Sequence, residues 1–334
     1  MKENICPDKP FRTYEELLEI MESRNVIISD RKKAISVLQS TSYYTLLNGY
    51  KDIYDVDEND NFEHPIQFDE LYVIHQADMT INSILLKYIL VIEGSLKSSI
   101  SYIISKNYGV ITDEKDDTNM NHNDYLYRDN YQSSYKRNNI LFRIKGILNN
   151  RNHKHPSIEY YQKKHNHIPC WILINGCPFG LAIQWFQILS SSDKNYVVNS
   201  LLSSTSIDQK RKNEFIYSSL IIIKDYRNSI AHGKRVFSYF IDSNLPKKDV
   251  LDLTHEVVSR SDYNKGIGKK DIFAVLLIII LLTPKDMHQA FISELSSFVN
   301  LSKSITLSNG KSILDSFSIP IDVISRLEKI DKYL

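Results

Sequence analysis

The sequence predicts an all-α protein, and three observations predict it. Apolar residues recur at the three- and four-residue spacing of helices along most of the chain. Gly and Pro number only 10 and 9 among 334 residues and lie mostly at junctions, unlike the frequent turns of a β-sandwich or barrel. Residues of the types that cap helix N-termini directly precede segments with helical periodicity.

Composition excludes several classes of protein. The chain has 41 Lys+Arg and 40 Asp+Glu, so its net charge of +1 excludes a uniformly basic nucleic-acid coat, and any charged surface must be local. Its three cysteines, Cys6, Cys170 and Cys177, form no C-x-x-C pair, which favours a reducing cytoplasm over a disulfide framework. The first residues lack a signal peptide's apolar core, and the longest apolar run, Ile272 to Leu282, is shorter than the roughly 20 residues of a spanning helix. We therefore expect a cytoplasmic protein without a membrane anchor.

Residues 1–62 form a predicted N-terminal helical unit. Thr13, with Glu16 three positions later, predicts a capping box, and Ser29 or Asp30 caps the next helix. The segment SYYTLLNGYKDIY follows. Its Tyr43 and Tyr44 are candidates for stacking on RNA bases, although such aromatic stripes more often belong to a core.

Residues 63–240 form the predicted helical core of the protein. One long helix is expected from Phe68 to about Asn107, with Glu93 on the same stripe as apolar residues such as Ile89, Leu96, Ile100 and Ile103. The polar segment 112–139 lacks periodicity and is expected to be a partly mobile surface insertion.

The rest of the core and the C-terminal part are also predicted to be helical. Short helices are expected at about 135–149 and 157–164, followed by a buried turn entering a helix in HIPCWILINGCPFGLAIQWFQIL, with Trp171, Phe179 and Gly180 in the core. The next helix runs from about Asp208 to His232. Residues 241–334 are expected to add helices at about 271–282, 284–300 and 319–333 that pack on the core.

Arg227 lies on an apolar helical stripe, where a charge needs a partner. On a helical wheel it falls within about 40° of Ile216, as do Leu220, Ile223 and Ile230. A guanidinium removed from water is costly unless it is paired with an anion, which can be a carboxylate of the fold or a ligand's phosphate. Glu93, the other charge on an apolar stripe, is the predicted internal partner.

Further polar residues follow Arg227 near the predicted helix end. Asn228 and His232 are four residues apart and share a face beside Arg227. Gly233 is a predicted C′ residue, and an imidazole just before it can exchange protons near neutral pH. Lys234 and Arg235 complete a small cationic group suited to phosphate oxygens.

These residues match the needs of RNA cleavage without a metal ion or other cofactor. Arginine stabilises charge on the phosphorane, histidine moves a proton, and asparagine orients the reacting groups. The nucleophile would be the RNA's own 2′-hydroxyl, which yields a 2′,3′-cyclic phosphate. The alternative is a helix end with a structural ion pair and a surface histidine, and for Glu93 a structural role is the favoured reading.

Arg227-Asn228-Ser229-Ile230-Ala231-His232 resembles the R-x4-6-H motif of HEPN ribonucleases, in the R-N-x-x-A-H form of the abortive-infection Abi-D/F (Abi2-like) family. Three other segments resemble that family in order: the N-terminal segment with Tyr43, Tyr44 and Tyr50, the helix YILVIEGSLKSSISYI, and IPCWILINGCPFG. The likeness covers most of residues 9–240. Departures occur at Asp78 to Asn82, which lacks the family's arginines, and at Lys97, where the family often has Arg.

This resemblance implies a HEPN-like helical bundle, a phage-defence or toxin role, RNA as substrate, and a relation to RNA-targeting CRISPR effectors with paired HEPN domains. It also implies control by a small non-coding RNA. HEPN active sites combine two motifs, whereas this chain has one, so a homodimer is expected. A non-catalytic protein that holds a specific structured RNA is the alternative function.

Two other groups of residues are weak candidates. His153, His155, His165 and His167 lie near Cys170, but their spacing is not that of a typical zinc site, so no metal is expected. Four lysine pairs, beginning at Lys32, Lys163, Lys247 and Lys269, are typical of solvated surface and would contact RNA phosphates only if they line one groove.

Overall fold

The computed structural model describes residues 9–112, 120–149, 155–233, 235 and 243–334. Its helices, in chain order, are α1 Tyr14–Ser23, α2 Arg31–Ser40, α3 Phe68–Tyr108, α4 Arg137–Asn149, α5 Pro156–Lys164, α6 Cys170–Leu173, α7 Phe179–Ile188, α8 Ser191–Leu201, α9 Gln209–Ala231, α10 Lys247–Leu253, α11 Arg260–Asn264, α12 Ile272–Leu282, α13 His288–Ser304, α14 Ile313–Ser316 and α15 Val323–Asp331. The strands β1 Val26–Ile27 and β2 Ile66–Gln67 pair in parallel. The predicted all-α class is confirmed.

The chain divides into two compact units. The first contains residues 1–83 and 294–321, and the second contains 84–293 and 322–334. Helices α3 and α13 each contribute to both units. The domain boundaries expected near residues 62 and 240 stay a prediction, and the compact units divide the chain at other positions.

The first unit begins as the sequence predicts. Thr13 and Glu16 form the capping box of α1, and Asp30, rather than Ser29, caps α2 by accepting a hydrogen bond from the Lys33 N–H. Of the predicted aromatic segment, Tyr50 is buried, and its hydroxyl lies 2.9 Å from His75 Nδ1 and 3.3 Å from an Asp78 oxygen. Asp78 therefore has a structural role.

The second unit is built around helices that are buried on several sides. Every residue of α12 is buried, and this helix packs against α9 and α15. Helix α7 packs against both α4 and α9 and buries Trp185 completely. The predicted buried turn is confirmed, because Phe179 is 3% exposed, but the expectation for Trp171 is wrong, since its side chain is 46% exposed at the start of α6.

The expectation of a surface insertion is wrong around Tyr125 and Tyr131, whereas residues 121–123, 128–129 and 133–136 are exposed as predicted. Tyr125 and Tyr131 are buried, and their hydroxyls donate to backbone oxygens of Ile168 and Tyr125. Tyr131 also accepts a hydrogen bond from the indole of Trp185. Tyrosine hydroxyls that reach backbone acceptors allow a polar, aperiodic segment to enter the core. Residues 113–119 of the expected insertion lie outside the described residues.

Helix α3 is long and apolar enough to cross a membrane by length and composition, although the sequence predicts no membrane anchor. It has 41 residues, and 44% of its most apolar window is buried within the protein. This burial fits a core helix of a soluble protein. The cytoplasmic location stays a prediction.

Asp271 caps the apolar helix α12 and makes stability depend on pH. Its carboxylate accepts hydrogen bonds from the N–H groups of Gly268 and Ala274. Burial raises its pKa from 3.8 to about 6, although these hydrogen bonds act in the opposite direction. Because the pKa of Asp271 is higher in the folded than in the unfolded state, the folded state holds the proton more tightly. The free energy of unfolding therefore falls as the pH rises from about 4 to about 6.

We expect Asp271→Asn to remove this dependence, since asparagine caps a helix without titrating. Relative to the variant, the wild-type free energy of unfolding should fall by up to about 3 kcal/mol between about pH 4 and pH 6.5. Urea unfolding at several pH values measures the difference. If the unfolding free energies of wild type and variant differ by the same amount at every pH in this range, the result would contradict the burial of a titrating carboxyl group.

Candidate functional site: the end of helix α9

Helix α9 begins and ends at residues that the sequence marks clearly. The Asp208 carboxylate accepts a hydrogen bond from the Arg211 N–H at 3.0 Å and caps its start. The helix ends at Ala231, where His232 is the C-cap residue and Gly233 adopts a positive φ of 66°. Glycine adopts this conformation without the steric cost of a side chain, so the predicted C′ residue is confirmed.

The apolar stripe of α9 is buried up to Arg227. Ile216, Leu220 and Ile223 are completely buried, whereas the Arg227 side chain is 36% exposed. The buried stripe holds the helix against the core of the second unit, and the guanidinium lies where that stripe meets the solvent. Arg227 is therefore positioned by packing yet accessible to a ligand.

The structure brings Arg227 to Glu93 of helix α3, the partner that the sequence predicts. Arg227 Nε lies 3.8 Å from Glu93 Oε2, which is an ion-pair distance but too long for a hydrogen bond. Both atoms are buried, and neither has a hydrogen-bond partner among the described residues. Arg227 Nη1 lies 3.5 Å from the side-chain oxygen of Asn228, which is a weak contact. The carboxylate thus attracts the guanidinium without accepting a hydrogen bond from Nε.

Glu93 also holds a second cation, Lys97, one turn further along α3. Lys97 Nζ lies 2.7 Å from Glu93 Oε1, and the two side chains are only 18% and 10% exposed. One carboxylate therefore compensates two cations, Lys97 and Arg227. A partly buried group with an excess positive charge is suited to an anionic ligand.

Helix α7 and the turn before it form another side of this region. An added Cβ at Gly180 would lie 3.7 Å from the side chain of Lys224 on α9, so the first turn of α7 runs close to α9. Cys177, just before α7, is buried, and burial raises the pKa of its thiol to about 12 although the nearby charge of Lys97 acts in the opposite direction. Burial also raises the pKa of Cys170 well above its usual value. Both thiols are protonated at neutral pH and are poor nucleophiles.

A family model described as Abi-like protein matches residues 36–238, which include α3, α7 and α9. The chain belongs to the Abi-like protein family. No curated protein and no solved structure matches the chain.

The other predicted site residues of this Abi-like protein differ in solvent exposure. Asn228 and His232 are exposed near the end of α9, and Arg235 is partly exposed. Lys234 lies outside the described residues. Among the described residues, an imidazole, an amide and a guanidinium therefore all reach solvent at the end of α9.

The two candidate tyrosines of this Abi-like protein differ from each other. Tyr44 is 73% exposed in a π-helical turn at Tyr44–Asn48, whereas Tyr43 is half-buried, and burial raises its pKa. Their predicted contact with RNA stays a prediction. Among the histidines near Cys170, His153 lies outside the described residues, and within the described part of the chain no three His, Cys, Asp or Glu side chains form a group that could hold a metal ion.

Sequence reasoning missed the role of Lys97. It treated this residue only as a departure from an arginine that the family often carries. The signal was present, because a Glu followed by a Lys four residues later on a helix favours an ion pair. The Glu93 and Lys97 side chains form that pair on the buried side of α3.

We expect Glu93→Gln to destabilise the protein by about 2 kcal/mol, because Lys97 and Arg227 lose their shared counter-charge. In the double variant with Lys97→Met, part of this loss should be recovered, since one of the two uncompensated cations is removed. Urea unfolding of the wild type, both single variants and the double variant measures the coupling free energy between Glu93 and Lys97.

Glu159→Gln is the matched control for this prediction. Its pair with Lys163 has the same four-residue spacing, but the side chains are 53% and 68% exposed. Solvent screens such a pair, so its loss should leave stability unchanged. Equal effects at Glu93 and Glu159, or strictly additive effects of Glu93→Gln and Lys97→Met, would contradict the shared counter-charge.

Proposed function

We propose that this Abi-like protein is a metal-independent endoribonuclease toxin of an abortive-infection or toxin–antitoxin system. The family supports the defence role. The observation that carries the nuclease role is the partly exposed Arg227 guanidinium, held near the buried Glu93 carboxylate at a helix end where the Asn228 and His232 side chains are also exposed. This combination fits the phosphate and ribose of RNA.

In the proposed reaction, the 2′-hydroxyl of RNA attacks the adjacent phosphorus. The bond from O2′ to phosphorus forms, and the bond from phosphorus to O5′ breaks. Arg227 stabilises the negative charge that builds on the phosphorane oxygens, and Asn228 orients the reacting groups. His232 transfers a proton from the 2′-hydroxyl or to the leaving O5′. The products are a 2′,3′-cyclic phosphate and a 5′-hydroxyl.

The proton balance of this reaction supports a homodimer. One group must accept the proton of O2′ while another donates a proton to O5′, whereas the motif provides one histidine per chain. A second copy would supply the other imidazole across a two-fold axis, as in the paired motifs of HEPN ribonucleases that this chain resembles. Sedimentation analysis should show that the active species is a dimer, and an active monomer would remove this part of the proposal.

RNA is also the proposed regulator. A small non-coding RNA that covers the end of α9 would keep the toxin inactive. Purification of the protein from its host with bound RNA, followed by sequencing, distinguishes a single discrete RNA from a mixture of substrates.

The second candidate function is a non-catalytic RNA-binding protein. The excess positive charge of the group Glu93, Lys97 and Arg227 favours it, because this charge can hold a phosphate without any chemistry. The two functions differ in what they require of His232, because cleavage needs its imidazole for proton transfer, whereas phosphate binding by Glu93, Lys97 and Arg227 does not.

We expect His232→Ala and Arg227→Ala to lower the rate of RNA cleavage at least about 100-fold, since each removes a group that acts in the transition state. His232→Ala should retain RNA binding. Cleavage in the presence of EDTA, with mass spectrometry of the fragment ends, should show 2′,3′-cyclic phosphates, and DNA of the same sequence should remain intact.

His64→Ala and Arg260→Ala are the matched controls, since both side chains are exposed and lie outside the motif. Each should cleave at the wild-type rate. Fragments that end in a 3′-hydroxyl would contradict the mechanism. Cleavage by His232→Ala at the wild-type rate would overturn the nuclease role of this site, and RNA binding without any cleavage by the wild type would favour the second candidate.

A further inference from the structure

A cavity lined by both polar and apolar side chains lies in the second unit, between α4 and the turn before it. Its volume is about 620 Å³, within the range of ligand-binding clefts. Residues Asn138, Leu141, Phe142 and Lys145 line it from one face of α4, and Tyr127 and Arg128 line it from the 3-10 turn Arg128–Asn130 and its N-cap. None of these residues belongs to the proposed catalytic group.

The aromatic side chain of Phe142 is unusually exposed. It is 75% exposed on α4, whereas the neighbouring Leu141 is 4% exposed and packs inward. Helical periodicity would normally place a polar residue at such a position. An exposed ring at the edge of a cavity offers a flat surface on which a planar ligand can stack.

Two cations, Arg128 and Lys145, line this cavity, and no carboxylate is among its described lining residues. Lys145 Nζ also lies 3.2 Å from the sulfur of Met120, another lining residue. The Asp129 carboxylate lies 3.7 Å from Arg128 and 3.6 Å from Arg137, so one anion faces two guanidiniums. Arg128 is 66% exposed and remains accessible to a further anion.

We propose that this cavity binds single-stranded RNA, with a base stacked on Phe142 and the adjoining phosphates held by Arg128 and Lys145. An exposed ring beside cations on one groove is the combination that binds unstacked bases and their backbone. Asn138 presents an amide donor and acceptor to the edge of the base. Duplex RNA keeps its bases stacked and cannot use the ring. The choice of RNA as the polynucleotide rests on the proposed function.

We expect Phe142→Ala to weaken the binding of a fluorescein-labelled, mixed-sequence single-stranded RNA of 12 nucleotides about tenfold in fluorescence anisotropy. The parent protein in these measurements is His232→Ala, and all variants carry this substitution so that the RNA stays intact. Phe142→Tyr keeps an aromatic ring and should bind as the parent does. The double variant Arg128→Ala, Lys145→Ala should lower the slope of log Kd against log salt by about 1.4, because about two phosphate contacts are lost.

Phe11→Ala is the matched control, since Phe11 is 88% exposed outside the cavity, and it should bind as the parent does. Binding by Phe142→Ala within twofold of the parent, or equal losses for Phe142→Ala and Phe11→Ala, would overturn the proposed cavity. Equal affinity for duplex and single-stranded RNA would also overturn it. If the parent binds no RNA at all, the proposed function itself fails, and this outcome is distinct from loss of the Phe142 effect alone.

Discussion

The buried carboxylate of Glu93 is the interaction on which the candidate site depends. It lies 2.7 Å from Lys97 and 3.8 Å from Arg227, and it is the shared anion of two cations. Because a buried charge is stable only with compensation, this arrangement ties the position of the Arg227 guanidinium on α9 to α3. It also leaves one positive charge in excess. The same contact therefore stabilises the second unit and keeps a partly buried excess positive charge near the end of α9.

Packing and exposure have separate roles along α9. The buried stripe through Ile216, Leu220 and Ile223 fixes the helix in the core, and Gly233 ends it. At this end Arg227 is partly exposed and Asn228 and His232 are exposed, so a large substrate can meet the proposed catalytic side chains without any opening of the core. The family match spans the helices that build this arrangement, which links the defence family to this part of the fold.

Much of the fold could be predicted from local signals. Capping residues predicted the starts of α1 and α2, and periodicity predicted the extent of α3. Two charges on apolar stripes predicted the proximity of Glu93 and Arg227. The burial of Tyr125 and Tyr131 could not be predicted, because their hydroxyls bond to backbone atoms that only the tertiary structure brings near. The exposure of Trp171 could not be predicted either, because an apolar segment does not reveal which of its side chains faces outward.

A crystal structure of the His232→Ala protein with a single-stranded RNA tests the position of the phosphate most directly. We expect the scissile phosphate to lie within hydrogen-bond distance of the Arg227 guanidinium, with Glu93 still beside Nε and the adjacent 2′-hydroxyl near position 232. A bound RNA whose phosphates all lie away from Arg227, with the guanidinium paired to Glu93 alone, would contradict the central claim.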